Sequence, residues 1–473
     1  MSATAPSAER AAPHQRLRWL CDGGTVELIG VGSERAAVVT AHGRVRGRPI
    51  VCYAQDAGVS GGSVGIAEAE AIVSLLRRGR CANVPVVGLI ESGGARLQDG
   101  VAALGGFGRI FFENVALSGH APQISVITGP SAGGGCYSPA LTDFVIMSES
   151  ASMFLTGPKI VRHALGEDVT ADELGGPGIH QRNGVCDFVA PDDRSAIELV
   201  RDLLSYLPQN ALDAPPVARP EPAPPQDPGE LLPDSERGYY DIRDVIRNVV
   251  DSGRFLEVSP RWARNIVGGL ARLEGMPIGV LANQPRHLGG IIDVQASQKG
   301  ARFVRTCASF GLPLLVLVDT PGFMPGVHQE RAGVIRHGAD LVRSFAAARS
   351  PRVTVIIRKA FGGAFIAMNS KDLGADATFG WPNASIGVMS PRGAVEIIHR
   401  RDLQRPDADP ERLARLYAEA HLTPQAAVAA GALDAVIAPQ DTRARVTAAL
   451  QAALSRPGAA ALLHTLTPRV AAQ

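Results

Sequence analysis

Gln123-Ile124-Ser125-Val126-Ile127-Thr128-Gly129-Pro130-Ser131-Ala132-Gly133-Gly134-Gly135 is a β-branched run that ends in a small-residue turn, and the chain carries the pattern twice. The second copy reads Arg352-Val353-Thr354-Val355-Ile356-Ile357-Arg358-Lys359-Ala360-Phe361-Gly362-Gly363-Ala364. Pro122 aligns with Pro351, and Gly133 with Gly362, at an offset of 229. Upstream of each copy lies another apolar run, 84–89 in the first and 312–317 in the second, in which Pro85 aligns with Pro313 at an offset shorter by one. These runs lead through Ser92-Gly93-Gly94-Ala95 and through Pro321-Gly322. The chain is therefore a duplicated α/β unit, and the duplication fixes the architecture before any residue is given a role.

Outward from these strands, short β-branched runs alternate with Ala-rich amphipathic stretches such as 96–116 and 333–348. That alternation predicts βαβ layering with strands buried on both faces. Residues 208–228 hold eight prolines and almost no large apolar residue, a composition that forbids helix or interior strand and favours an extended, solvated connector. The expected division is an N-terminal domain over 1–207, a Pro-rich linker over 208–234 and a C-terminal domain over 235–473. A last helix is expected over 441–455, with Val446, Leu450 and Leu454 on one face, Asp441 as N-cap and Pro457 as a stop. A length of 473 residues suits two such domains. The formal net charge of +1 offers no field to nucleic acid or to an anionic membrane. No membrane span or signal core is present, so the cytoplasm is the expected compartment. Six cysteines (Cys21, Cys52, Cys81, Cys136, Cys186, Cys307) lack CxxC or ligand spacing, so neither a disulfide framework nor a metal site is expected.

A strand that runs into a glycine turn and then a helix start presents backbone N–H groups. Without a Cβ, glycine lets a substrate carbonyl approach those amides, and the helix dipole favours negative charge there. That is how an oxyanion hole is built, and two of them suit a reaction with two developing oxyanions. The bland alternative for either turn alone is close packing of helix on strand; repetition at matching offset favours function. No GxxxxGK[ST] loop or HExxH pair occurs, so ATP hydrolysis by this chain is not expected. The default reading of His120, His163, His180, His287, His328, His337 and His399 is a surface or hydrogen-bonded core role. For Glu91, Asp143, Asp293, Asp319 and Asp376 the default is a cap or a turn. The backbone amides remain the best catalytic candidates.

The strings Ser92-Gly93-Gly94-Ala95-Arg96, GPSAGGGCYSPALTDF (129–144), LTGPKIVRHALGEDV (155–169), ANQP (282–285), ARFVRTC (301–307), VDTPGFMPG (318–326) and RKAFGGAFIAMNSK (358–371) closely resemble the β subunits of biotin-dependent acyl-CoA carboxylases, the carboxyltransferase component typified by propionyl-CoA carboxylase. The resemblance runs from about residue 61 to 439. It implies two tandem crotonase (ClpP-like) ββα-superhelix domains of α/β class, with acyl-CoA mainly on the first and biotin entering from the second domain of a neighbouring subunit in a hexamer. It also implies the reaction. Carboxybiotin loses carbon dioxide to leave a ureido anion, the anion takes the α-proton of the acyl thioester, and the enolate attacks the carbon dioxide. Gly133 and Gly134 would hold the thioester oxygen, and Gly363 and Ala364 the biotin carbonyl; which hole serves which carbonyl stays open. Ser92, Gly93, Gly94, Ala95, Arg96, Ala132, Gly135, Tyr137, Phe361, Gly362 and Ile366 would line the substrates. Biotin supplies the base, so no side-chain base is needed.

Position 366 is associated in this family with acyl-chain selectivity. Many propionyl-selective relatives have aspartate there, so Ile366 suggests acetyl-CoA or a broader range of short acyl groups; the alternative is a pocket shaped elsewhere, since one methylene is worth only about 1–3 kcal/mol. Gly135 stands where alanine is common, Asn183 where a serine often precedes Gly184, and Asp340 where a basic residue is frequent. The C-terminal LLHTLTPRVAAQ (462–473) lacks the family's basic tail. No methionine lies in an AMKM-type context, so biotin must arrive on a partner, an α subunit with biotin carboxylase and biotin carboxyl carrier functions. The products would be malonyl-CoA or methylmalonyl-CoA, as in fatty acid biosynthesis. The rivals are the carboxyltransferase subunit of a biotin-dependent decarboxylase or transcarboxylase, a biotin-independent crotonase-fold acyl-CoA enzyme, and an assembly subunit with a dead site.

Overall fold

The computed structural model describes residues 11–29, 37–235 and 238–456. The chain divides into two compact units, the first running to Ala214 and the second starting at Pro215. The expected stop at Pro457 and the tail 462–473 lie outside the described residues.

The first unit contains β1 (Glu27–Leu28), β2 (Val38–Val45), β3 (Arg48–Gln55), β4 (Val86–Ser92), β5 (Gln123–Ala132), β6 (Phe144–Ser148), β7 (Ser152–Phe154) and β8 (Phe188–Ala190). They form one sheet in the order β1-β2-β3-β4-β5-β6-β8, with β7 pairing the far end of β5. β1, β2 and β3 are antiparallel, and β3 through β8 are parallel. The β2–β3 hairpin closes on Arg46 (φ 51°) and Gly47 (φ 76°), the two positive φ angles that a two-residue turn needs to follow the strand twist. All seven residues of β4 are buried, as a parallel strand covered on both faces requires. The helices Ile66–Ala82 and Val101–Leu117 make the crossovers, and Phe107, Ile110 and Leu117 of the second lie in the core with Ile72, Val73 and Leu76 of the first. The stretch expected to be helical from 96 begins only at Val101, because Gly100 (φ 53°) breaks it from the preceding turn.

The second unit repeats the plan with β9 (Phe255–Val258), β10 (Ile266–Leu273), β11 (Met276–Asn283), β12 (Leu314–Thr320), β13 (Arg352–Phe361), β14 (Ala377–Gly380), β15 (Ser385–Gly387) and β16 (Ala435–Val436). Their order is the same, β9-β10-β11-β12-β13-β14-β16, with β15 on β13. Even the hairpin turn recurs, at Glu274 (φ 51°) and Gly275 (φ 76°). Within this unit the proline-rich segment serves as a row of acceptors: Arg272 Nη1 reaches Pro216 O (2.8 Å), Ser252 N–H reaches Pro222 O (2.9 Å) and Arg443 Nη2 reaches Glu221 O (3.0 Å).

The last helix, Thr442–Leu454, departs from expectation at two points. Asp441 makes no side-chain cap bond, and Ala453 is buried, whereas Leu454 is 39% exposed. At about 100° per residue, position 454 lies about 80° from Val446 and 453 only about 20° from it, so alanine and not leucine completes the buried stripe. No helix among the described residues is long and apolar enough to cross a membrane.

Candidate active site

In the first unit β5 ends against β7, and the N–H of Gly133 continues that ladder by donating to Phe154 O (3.1 Å). Gly133 has φ 57°, which a side chain would strain, and the helix Gly134–Ala140 follows. The N–H groups of Gly134 and Gly135 come first in that helix and have no carbonyl one turn back. A Cβ on Gly134 would stand 2.8 Å from the Phe107 ring, so glycine is required there by packing as well. The upstream turn braces this one. Ser92 Oγ donates to Gly62 O (3.1 Å) and accepts from Gly94 N–H (3.2 Å), and Gly94 (φ 89°) lies so close to Ala132 O that a Cβ would come within 2.9 Å. Gly93 N–H donates to Gly61 O (2.9 Å), and Ala95 bridges Val64. Arg96 binds Ser63 O (2.9 Å) and Glu68 (2.7 Å), holding the start of the Ile66–Ala82 helix. Tyr137 is half exposed and meets Phe111 edge-on at 5.8 Å.

The second unit builds the same turn. Phe361 pairs Gly387 of β15, Gly362 has φ 60°, and the helix Gly362–Ala367 follows with Ala364 buried and Ile366 half exposed. Packing is looser here: a Cβ on Gly363 would meet the Phe323 ring at 3.8 Å, an ordinary contact. The offset of 229 takes Gly363 and Ala364 to Gly134 and Gly135, and Ile366 to Tyr137. Gly133, grouped on sequence with Gly134 as a donor, instead matches Gly362 and has its N–H in the ladder. A run of three glycines does not reveal where the strand ends; the β7 register does.

Beneath the first turn, Tyr53, Gln55, Phe107, Gly135 and Ser138 line a cavity of about 10 Å³, room for one water molecule. Burial pushes the Tyr53 phenol up to about 12 and the Cys136 thiol up to about 11, so neither is a base or a nucleophile near neutral pH. Among the described residues no group of three His, Cys, Asp or Glu side chains is placed to hold a metal.

The acidic residues divide. Asp293 caps the Val294–Ser309 helix through Ala296 N–H (2.8 Å). Asp143 and Asp376 take equivalent backbone N–H groups, of Gln123 and Arg352, both at 2.8 Å. Glu91 and Asp319 are neither caps nor turn residues: both lie inside the sheets, 3% and 1% exposed, and pair with Arg16 (3.4 Å) and Arg358 (3.0 Å). Burial pushes the Asp319 carboxyl up, against the pull of Arg358. His180 is fixed to Met153 O (2.6 Å) and His399 to Asp402 (3.0 Å).

Residues 28–464 match the carboxyl transferase domain family. The chain belongs to that family. It is 47% identical over 422 residues to the propionyl-CoA carboxylase carboxyltransferase subunit of Haloferax mediterranei, covering 88% of this chain and 82% of that one. It is 44% identical over 429 residues to the methylmalonyl-CoA decarboxylase subunit alpha of Veillonella parvula, covering 90% and 82%. Among solved structures, the hexameric transcarboxylase 12S core with methylmalonyl-coenzyme A and methylmalonic acid bound superposes with a TM-score of 0.90 at 42% identity, covering 94% of this chain and 90% of that one. The duplicated sheets are accordingly two crotonase-type domains, and the family's members are carboxyltransferases.

Proposed function

We propose that this carboxyl transferase domain protein moves a carboxyl group between carboxybiotin, carried on a partner chain, and the α-carbon of a short acyl-CoA, acetyl-CoA or propionyl-CoA. The observation that carries the reading is the pair of equivalent glycine turns, each placing backbone amides at the start of a helix. The amides of Gly134 and Gly135 stabilise negative charge that develops on the thioester oxygen, and those of Gly363 and Ala364 do the same for the urea oxygen of biotin. One such donor lowers a barrier by about 2.7–4 kcal/mol. At position 362 φ is 60° and a Cβ would stand 3.1 Å from Val388 O, so the turn takes glycine, and no side chain at 362 stands between the amides and a biotin carbonyl. Carboxybiotin, when bound, supplies both the carboxyl group and the base. Ser92 and Gly94 hold the first turn in place, Tyr137 flanks the first pair of amides, and Ile366 gives the second an apolar wall that suits acetyl as well as propionyl chains.

The partner is read as an α subunit with biotin carboxylase and biotin carboxyl carrier functions, the assembly as a hexamer like that of transcarboxylase 12S, and the compartment as the cytoplasm. A second reading, decarboxylation or transcarboxylation of methylmalonyl-CoA, is favoured by the likeness to the Veillonella and transcarboxylase 12S proteins; it uses the same turns in the reverse direction. The test is to mix the chain with a biotin carboxylase and carrier partner, ATP and labelled bicarbonate, and to measure label on acetyl-, propionyl- and butyryl-CoA. Label on the two shorter thioesters supports the first reading. Label on none of them, with CoA binding intact, shifts the weight to decarboxylation.

A further inference from the structure

Each glycine turn leaves its strand through a bulge, and a buried carboxylate faces that bulge. On β12 and β13, Val318 pairs Ile356 but Thr320 pairs Ala360, so 357–359 bulge opposite Asp319. Asp319 Oδ1 accepts the Lys359 N–H (3.2 Å), and Oδ2 accepts from Arg358 Nε and from the Tyr240 hydroxyl (both 3.0 Å). The Asp319 N–H is itself fixed by Asn283 Oδ1 (3.3 Å). Two residues beyond Lys359 the chain reaches Phe361 and then the amides of Gly363 and Ala364.

The first unit repeats the device with other parts. Ile90 pairs Ile127 and Ser92 pairs Ser131, so 128–130 bulge opposite Glu91. The Glu91 N–H is fixed by Gln55 Oε1 (3.2 Å). Its cation is Arg16, from the helix Pro13–Leu20, whose guanidinium also binds Thr128 Oγ1 inside the bulge and Gln55 O (2.7 Å). Glu91 and Asp319, like Gln55 and Asn283, match at an offset of 228. The carboxylate and the amide hold corresponding places, whereas the arginine comes once from a distant helix and once from the bulge itself.

A buried ion pair is seldom more stabilising than apolar residues of the same volume, so stability does not account for two of them. Bulges occur beside active sites and turn the adjoining backbone in a new direction. We propose that Asp319, and Glu91 in the first unit, are positioning residues: each locks the bulge that aims the adjoining glycine turn, so that its amides point at the reacting carbonyl. This rests on reading the turns as oxyanion sites.

The test compares wild type, Asp319→Ala and Asp319→Asn by carboxyl transfer from a carboxylated carrier protein to propionyl-CoA and by amide hydrogen exchange over 357–364. The Ala variant loses kcat by about 30- to 100-fold, the scale of a misplacement near 1 Å, with KM for propionyl-CoA within about twofold. Its amides over 357–364 exchange at least about tenfold faster, while those of β12 do not change. The Asn variant, which keeps an acceptor for Lys359 N–H, returns kcat to within about threefold of wild type. If Asp319→Ala does not fold because Arg358 is left uncompensated, Asp319→Ala with Arg358→Met must show the same kcat loss and exchange. Wild-type kcat in the Ala variant, or faster exchange spread over the whole unit with no rescue by Asn, overturns the proposal. A wild-type protein that transfers no carboxyl group refutes the functional reading instead, and the exchange comparison still decides the brace: equal exchange in wild type and the Ala variant overturns it.

Discussion

Gly134→Ala isolates the geometry of the first turn. An ideal Cβ there lies 2.8, 2.9 and 3.0 Å from three atoms of the Phe107 ring, where ordinary carbon contacts are about 3.5–4.0 Å. Ring and turn must therefore separate by roughly 0.5–1 Å. Phe107 is 4% exposed within the core, so the turn gives way, and overpacking of this kind costs about 1–3 kcal/mol of stability. The larger effect falls on rate. Moving the leading amide by up to about 1 Å costs about 10²-fold, similar to losing one oxyanion donor. The expected kcat for carboxyl transfer falls by about 30- to 300-fold. Adding Phe107→Leu makes room and restores at least about tenfold of that loss, a coupling that a double-mutant cycle reads directly. Gly133→Ala is the comparison: its Cβ meets nothing closer than Leu155 O at 4.0 Å, so its cost is the about 1–2 kcal/mol of a left-handed backbone. A kcat within twofold of wild type for Gly134→Ala, in a folded protein, would mean that the Phe107 contact does not set the position of the leading amide.

Gly363→Ala places its Cβ at ordinary distance from Phe323, so kcat should stay within about threefold of wild type in the same transfer assay. Arg443 binds Asp251 (2.7 Å), Glu274 (2.7 Å) and Val249 O (2.8 Å); Arg443→Ala removes the cation from the buried Asp251 carboxylate, which keeps the N–H groups of Glu274 (2.9 Å) and Gly275 (2.8 Å), and should lower the unfolding free energy by about 1–3 kcal/mol in a denaturant titration. Asn114 joins Gln123 (3.0 Å) and Ser138 (2.9 Å), and Asn114→Ala should cost a similar amount, read as a fall in Tm. Burial, with Arg264 nearby, holds the His287 imidazole below the usual histidine range. The unfolded chain then binds more protons between about pH 6.5 and the lowered value, so this contribution is full above that window and is lost as pH falls through it. His287→Gln should flatten that part of the stability–pH curve.

The duplicated sheet was legible because parallel strands buried on both faces read as uninterrupted β-branched runs, and because Pro85 and Pro313, or Gly133 and Gly362, hold register across more than two hundred residues. The turns were legible as turns, and their amides as candidates. Which glycine opens the helix was not, since Gly133 is distinguished only by its bond to Phe154, a residue contributed by β7. Glu91 and Asp319 looked like strand-end caps because a carboxylate's burial depends on its partner, and Arg16 lies 75 residues from Glu91. The role of Gly134 had a similar blind spot: the Phe107 ring that forbids a side chain there comes from another helix.

In the proposed function two glycine turns act on two different carbonyls in one carboxyl exchange. The most direct measurement is to incubate methylmalonyl-CoA labelled in its free carboxyl group with a biotinylated carrier protein, and to count label on the carrier and as released carbon dioxide. Wild type, Gly134→Leu and Gly363→Leu are compared after each is shown to keep the native assembly. Label on the carrier is expected with wild type, and loss of that label in either variant alone. Release of label that does not require biotin, or wild-type transfer by either variant, would contradict the proposed function.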